Sequence, residues 1–404
     1  MERNVSFERA WQLLLEAVGP VGGETVPLSL CGGRVLAQDL AARENVPRFD
    51  RSPYDGFALR GEDTQGASPE EPVTLRILEE VPAGAVPTRT VEPGTVVKVF
   101  TGTPIPQGAS GVVKFEDTSF DGDHVTLRRP VKPGSNLIRA GEDIRKGELL
   151  ARQGTVIDPG LAGTLASQGI AAPQVFRTPK VGILSTGSEL VEAEDTPGPG
   201  KIRNSNRAML EAAITALGCQ PVYLGIAGDR AEEIAAPIRE GLDQYDALVI
   251  TGGVSVGDYD VTPDAMAMAG VTLLFRGVDM KPGMACAYGV RAGKPVCGLS
   301  GNPASALTNF SAIALPVLRR LAGHRAPIPR TILVTLRKGF GKKSPKTRFL
   351  RGKLVLEEGR VCMDLPAEQG NVVLSSAIGC DVMALIPAGS GPVPAGTVLE
   401  GFYL

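Results

Sequence analysis

Three segments of this 404-residue chain share one chemical grammar: an apolar run, then Gly, Ser or Thr, then a carboxylate or a helix start. They are Ser185-Thr186-Gly187-Ser188-Glu189, Thr251-Gly252-Gly253-Val254-Ser255-Val256-Gly257-Asp258-Tyr259-Asp260 and Leu299-Ser300-Gly301-Asn302-Pro303. Glycine lets backbone N–H groups approach an anion, hydroxyls add donors, and a helix N-terminus adds partial positive charge. Asn302 is placed to cap a helix whose first turn holds Pro303. One such loop is an ordinary strand-to-helix turn; three together point to phosphate or oxyanion binding. Glu189, Asp229, Asp258 and Asp260 all follow strand-like runs. Acids around an oxyanion repel it unless a cation mediates, so hard oxygen ligands beside phosphate suggest Mg²⁺. Lys281, in Met280-Lys281-Pro282-Gly283, offers a point charge for a phosphate oxygen. Asp229 can equally cap a helix starting at Arg230.

The familiar anion motifs are absent: the chain has no G-x-x-x-x-G-K-[ST] and no G-x-G-x-x-G opening a helix after a strand. Gly253-Val254-Ser255-Val256-Gly257 does match the G-x-S-x-G of a nucleophile elbow. A serine hydrolase would then need a downstream histidine, and only His324 is available, at the end of a helical stretch where a helix-terminal cation is the commoner role.

Composition narrows the class. Lys and Arg number 42 against 44 Asp and Glu, so nothing global favours nucleic acid. Hydrophobic content of 43% excludes disorder, and 50 Gly with 32 Pro imply short strands joined by tight turns. The six cysteines (Cys31, Cys219, Cys286, Cys297, Cys362 and Cys380) show no C-x-x-C spacing, and with only two histidines they read as free thiols of a reducing compartment. No run approaches the ~18 apolar residues of a membrane span, and the charged N-terminal stretch is unlike a secretory signal, so a soluble cytoplasmic protein without membrane or nucleic-acid partners is expected.

The elements that must position the three loops can be read in outline. Phe7, Ala10, Trp11, Leu14 and Leu15 make one helical face over 6–18, with Ser6 as N-cap. Residues 24–45 read as strand-like, then a short helix. Residues 46–140 alternate short apolar runs (VTLRIL, TVVKVF, GVVKF, HVTLRR) with Gly/Pro/Asp turns and read as a β-rich domain of hairpins. A short helix is expected within 157–170. From 178 to 324 strands alternate with helices, which implies a mostly parallel sheet. Residues 328–404 return to short strands. The fold class is therefore α/β and β multidomain: 1–45 with 141–176 as an elongated, mixed α/β linker domain, 46–140 β-rich, 177–326 α/β, and 327–404 a small C-terminal β-barrel-like domain.

Eight segments, taken in order, resemble the MoeA family, the molybdopterin molybdenumtransferases related to the E domain of gephyrin. They are SPYDGFA (52–58), TGTPIPQGASGVV (101–113), GEDI (141–144), STGSEL (185–190), GGVSVGDYD (252–260), KPG (281–283), GNP (301–303) and QGNVVLSSA (369–377). The resemblance covers nearly the whole chain and implies a MogA-like central α/β domain. It implies insertion of molybdenum from molybdate (or tungsten from tungstate) into adenylylated molybdopterin, with AMP released and Mg²⁺ assisting. It further implies a homodimer with the active site between subunits, supplied by an upstream molybdopterin adenylyltransferase. Carried over by motif, Asp55, Thr101, Asp143 and Lys281 are the catalytic candidates. Ser185, Gly187, Glu189, Gly253, Ser255, Ser300 and Pro303 are the binding candidates, and Glu189, Asp229 and Asp260 the metal candidates. The chain departs from the family at Pro53-Tyr54, Ser110, Gly277, Met284 and Ser300, two of these replacing lysines; Arg276 stands beside Gly277. A non-catalytic or tungsten-selective paralogue, binding molybdopterin or scaffolding a partner, is the alternative.

Overall fold

The apolar runs between residues 180 and 299 become strands because both of their faces find a cover. A computed structural model of the chain describes residues 1–254 and 261–404. Contacts sort it into two units: Met1–Gln38, Gln153–Ala162 and Ala172–Leu404 in the first, Asp39–Arg152 and Gly163–Ala171 in the second.

In the first unit, among the described residues, seven strands form one sheet in the order Glu2–Val5, Thr272–Val278, Cys286–Arg291, Lys294–Leu299, Ala247–Thr251, Lys180–Thr186, Gln220–Ala227. Neighbours pair in parallel except around Cys286–Arg291, which runs against both of its partners. Residues alternate between two cores, as strand geometry requires. Val181, Ile183, Val249, Cys297 and Leu299 join the core covered by the helices Phe7–Ala17, Ser205–Ala216 and Pro303–Asn309. Leu184, Leu248, Ile250 and Val296 join the core under Ala231–Gln244 and Thr262–Met268. The expected parallel sheet is therefore present, with an antiparallel strand inside it.

The N-terminus behaves differently from its reading. Helix Phe7–Ala17 forms as expected, and Ser6 Oγ accepts the Arg9 N–H at 3.1 Å. Ahead of it, Glu2–Val5 pairs in parallel with Thr272–Val278 and completes the sheet edge. Of those four residues only Val5 is buried, so an edge strand with no apolar alternation leaves no periodic signal. Met1–Gln38 thus pack with the α/β elements rather than solely with a linker domain. Residues 24–45 hold the strands Gly23–Thr25 and Leu40–Ala41 and a 3₁₀ turn, Leu28–Leu30, in place of the expected short helix. Helix Pro159–Ser167 falls within its expected range.

The C-terminal residues close into a small barrel. The cyclic order is Thr347–Glu357, Arg360–Asp364, Thr331–Leu336, Val398–Tyr403, Val382–Ile386 and back to Thr347–Glu357. Met280–Lys281 adds to its wall by pairing in parallel with Thr347 and Arg348.

A charge pair pins the start of strand Lys180–Thr186. Arg177 Nη1 donates to Asp246 Oδ2 at 2.6 Å, Nη2 donates to Oδ1, and the Lys180 N–H adds a third bond at 2.8 Å. Burial alone would raise the Asp246 carboxyl; Arg177 and the Lys180 amide outweigh it and hold the carboxyl below the usual range. Asp246→Ala is expected to lower stability by about 1–3 kcal/mol at neutral pH. The loss is smaller than for a fully buried pair because Arg177 is 40% exposed. A carboxyl whose folded pKa is depressed stabilises above its unfolded pKa and stops doing so as pH falls through the folded one. Thermal melts of wild type and variant should therefore converge as pH falls through the depressed folded pKa, below the ordinary aspartate range.

The second unit holds, among the described residues, a six-stranded sheet ordered Gly111–Lys114, Gly56–Leu59, Thr95–Val99, Val73–Val81, His124–Leu127, Thr118–Phe120. Both faces are buried, one around Phe57, Leu75 and Val125, the other around Val81, Val97 and Val112. The expected hairpins are only partly found. Thr118–Phe120 and His124–Leu127 pair as one, but Val73–Val81 and Thr95–Val99 run parallel, because the 82–94 connection crosses over instead of turning back. Among the described residues no helix is long and apolar enough to cross a membrane.

Candidate functional site

Strand Lys180–Thr186 sits at a topological switch point. The chain first adds Gln220–Ala227 on one side of it and then Ala247–Thr251 on the other. Such a reversal opens a crevice beyond the carboxyl ends of the strands. Here the crevice is a cavity of about 1090 Å³, and all three hydroxyl and glycine loops line it, at 186–189, 251–254 and 300–303.

Close packing at its floor demands glycine. Gly252 has φ +102°, and a Cβ there would fall against Thr186 Oγ1 and, at 2.5 Å, the Thr186 carbonyl oxygen. Thr186 Oγ1 in turn donates to the Thr251 carbonyl at 3.1 Å, and Thr262 Oγ1 donates to that of Gly252 at 2.9 Å. These hydroxyls tie the loops together. The amides behave likewise: Gly187 N–H donates to Ala227 O at 3.2 Å, Gly252 N–H to Leu299 O at 3.0 Å and Ser188 N–H to Asp229 Oδ2 at 3.1 Å. The sequence reading had these backbone donors facing an anion. Those three are taken by protein acceptors.

Cationic side chains line the same cavity, and the C-terminal segment contributes to it. Lys281, Pro345, Lys346, Asn371 and Val372 line the cavity, and Lys346 Nζ is 2.7 Å from Asp279 Oδ1. Behind helix Pro303–Asn309, whose Ser305 also lines the cavity, lies Arg351, fully buried. Its Nη1 donates to Thr308 Oγ1 at 2.9 Å and Ala304 O at 3.4 Å, its Nη2 to Ser376 Oγ at 2.9 Å, and its Nε has no partner. Among the described residues no carboxylate pairs with it. Burial pushes its pKa down, yet a guanidinium keeps its proton, so a full positive charge stands there against neutral oxygens. Sequence reasoning missed Arg351, Lys346 and Ser305. The QGNVVLSSA segment was the one available signal, since it contains Asn371, Val372 and Ser376.

Of the residues singled out from the sequence, Gly187, Glu189, Asp229, Gly253, Lys281, Ser300 and Pro303 line this one cavity. Ser185 does not. It is buried, and its Oγ accepts from Asn204 Nδ2 at 2.9 Å. Asp229 leaves the following helix without a side-chain cap: Ala231–Gln244 has Arg230 at the N-cap, and Asp229 accepts from Ser188 instead. Asn302 also makes no side-chain cap bond. Ser255, Asp258 and Asp260 lie outside the described residues. Among the described residues no group of three metal-ligating side chains occurs. Gly277 has φ +78°, which an L-residue rarely adopts, and a Cβ there would also push aside Asn4 Oδ1, 2.5 Å away, so a lysine at this position would be strained.

Asp55, Thr101 and Asp143 belong to the second unit. Asp55 Oδ1 accepts both the Thr101 N–H (2.8 Å) and the Thr101 hydroxyl (2.9 Å), and these bonds hold its carboxyl below the usual range. Asp143 is exposed on the turn that follows. His324, needed by the serine-hydrolase reading, is half-buried after Leu315–Leu321 and does not line the cavity. Burial, then Arg319, pushes its pKa down.

Comparison with known proteins agrees with this architecture. Residues 5–169 match the model of the MoeA N-terminal region (domain I and II), and residues 182–320 that of a probable molybdopterin binding domain. A Staphylococcus epidermidis protein named molybdopterin molybdenumtransferase is 35% identical over 397 residues, covering 98% of this chain and 94% of that one. A Staphylococcus aureus protein of the same name is 34% identical over 399 residues with the same coverage. The crystal structure of a molybdopterin biosynthesis MoeA protein from Pyrococcus horikoshii superposes with a TM-score of 0.87 at 31% identity, covering 99% of this chain and all of that one. The likeness runs through both units and the barrel, and by it the chain belongs to the MoeA family.

Proposed function

We propose that this protein acts in molybdenum cofactor biosynthesis as a molybdopterin molybdenumtransferase, inserting metal from molybdate into adenylylated molybdopterin and releasing AMP. The observation that carries the reading is the charge set of one cavity: Glu189 and Asp229 line it together with Arg203, Lys281 and Lys346, and the buried Arg351 lies behind helix Pro303–Asn309. A phosphate-bridged substrate with its cation needs both signs of charge.

Glu189 and Asp229 are hard oxygen donors, and Mg²⁺ commonly takes one or two carboxylates and fills its remaining positions with phosphate oxygens and water. Two acids in one cavity satisfy that requirement by number and chemistry. Asp260 is the further metal candidate. When bound, the ion would neutralise charge at the phosphoryl oxygens. The chain's own residues do the rest. Gly187 and Gly253 let the substrate approach the strand ends, Ser300 and Pro303 shape the third loop around it, and Ser255 is a further binding candidate. Lys281 offsets negative charge that develops at the scissile phosphate bridge. Arg351 holds the electrostatic potential that favours an oxyanion substrate near Ser305. Asp55, with Thr101 fixing one of its oxygens, and Asp143 act from the second unit, and the site is completed between the subunits of a cytoplasmic homodimer. A molybdopterin adenylyltransferase would supply the substrate. The non-catalytic alternative rests on Gly277 and Met284 standing where the family has lysines, and relatives named molybdopterin molybdenumtransferase do not favour it.

Protein incubated with adenylylated molybdopterin, Mg²⁺ and either molybdate or tungstate is expected to release AMP, faster with molybdate. Absence of AMP with both oxyanions would sink the reading. Asp229→Ala should raise the Mg²⁺ concentration for half-maximal release at least about tenfold, the effect of losing one charged ligand worth ~1.4 kcal/mol; unchanged dependence would remove Asp229 from the cation site.

A further inference from the structure

The cavity wall formed by residues 187–204 is held from behind by side chains that do not line the cavity. Its two short strands, Leu190–Val191 and Ile202–Arg203, pair in parallel, Ile202 N–H donates to Glu189 O at 2.8 Å, and Lys201 Nζ donates to Ser188 O. Glu192, just past the first strand, receives two donors: the Tyr223 hydroxyl at 2.7 Å and Arg207 Nη1 at 2.9 Å. The Arg207 guanidinium also lies 4.0 Å from the Tyr223 ring centroid. Asn204 closes the circuit. Its Nδ2 donates to Tyr223 Oη at 3.2 Å and Ser185 Oγ at 2.9 Å, and its Oδ1 caps helix Ser205–Ala216 through the Arg207 N–H.

The network therefore joins a sheet strand, a helix and the wall segment at one place. All three partners are half-buried, where charge-assisted bonds are stronger than in open water. Burial, followed by Glu192, pushes the Tyr223 phenol up to about 12, so it remains a donor at neutral pH. No step of the proposed reaction uses Tyr223, Glu192 or Arg207. The wall they brace carries Ser188, Glu189 and Asn204 into the cavity.

We infer that Tyr223, Glu192 and Arg207 are positioning residues for nucleotide binding, holding the 187–204 wall in the arrangement that receives the adenylyl phosphate and its cation. The inference rests on the reading of the cavity as a nucleotide site. Its consequence is that removing the network weakens binding while the chemical step is retained.

Equilibrium binding of AMP and of ADP, each with Mg²⁺, tests it in the full chain, together with steady-state AMP release. Tyr223→Phe keeps the ring and its packing and loses only the hydroxyl. It is expected to weaken nucleotide binding five- to twentyfold and to raise KM for the adenylylated substrate by a similar factor, with kcat within twofold. Glu192→Gln should shift both in the same direction. Hydrogen exchange of the 187–204 amides should quicken in both variants while the sheet amides keep their protection. Wild-type protein that binds nucleotide together with variants that bind it equally well would overturn the inference alone. So would a fall in kcat at unchanged KM. Wild-type protein that binds neither nucleotide overturns the reading of the cavity, and the inference with it.

Discussion

Arg351→Met is expected to reduce oxyanion-dependent AMP release about tenfold, the loss of ~1.4 kcal/mol from a buried charge that acts through helix Pro303–Asn309 and does not itself line the cavity, while leaving the protein at least as stable as wild type. The two halves of this expectation have different causes. A fully buried guanidinium without a carboxylate carries a desolvation penalty that its neutral partners only partly offset. Methionine fills similar space without that penalty. The hydroxyls left behind are not orphaned, since Thr308 Oγ1 already donates to Ala304 O at 2.8 Å and Ser376 Oγ to Val373 O at 2.6 Å. Thermal melting should show no decrease, and the loss should appear in KM for molybdate as well as in turnover. Arg351→Lys should recover only part of the activity, because an ammonium keeps the charge and loses the planar fork that reaches Thr308 and Ser376 together. A methionine variant with wild-type activity would show that the buried charge serves the barrel alone.

Gly252→Ala should be strongly damaging to the first unit. Two penalties add: φ of +102° is poorly tolerated by an L-residue, and the new Cβ would stand 2.5 Å from a main-chain oxygen of the adjacent strand. Backbone cannot swing aside as a flexible side chain can, so the Thr186 and Thr251 strand ends must separate. A stability loss of about 2–4 kcal/mol is expected, with nucleotide binding lost as the crevice floor deforms. Gly301 supplies the control. It lines the same cavity, yet its Cβ would meet nothing nearer than Gly252 Cα at 3.7 Å. Gly301→Ala should therefore melt within about 1 kcal/mol of wild type. Equal destabilisation of the two variants would refute the packing argument for Gly252.

Much of the site was legible before any coordinates. Long apolar runs ending in Gly, Ser or Thr announced the strand ends at 186, 251 and 299, and the helices Ser205–Ala216 and Ala231–Gln244 between them implied parallel pairing and a shared edge. Other parts carry no local signature. Strand Glu2–Val5 is almost wholly exposed and polar, and only its partner Thr272–Val278 makes it a strand. The parallel pairing of Val73–Val81 with Thr95–Val99 looks like a hairpin in sequence, because turn-rich connections read alike whether they reverse or cross over. Ser185 was chosen for its hydroxyl, but strand alternation turns that hydroxyl inward to Asn204.

The sequence by itself determined that three short hydroxyl and glycine loops follow three strands of one α/β sheet, since periodicity and turn chemistry are local properties of neighbouring residues. Tertiary structure alone decided what those loops do. It turned three of their amides onto neighbouring strands and an acid, and set a lone guanidinium from position 351 behind residues 303–309. Electrostatics depends on distance and burial in space. No pattern along the chain records that Arg351 would be sealed from water without a counter-charge.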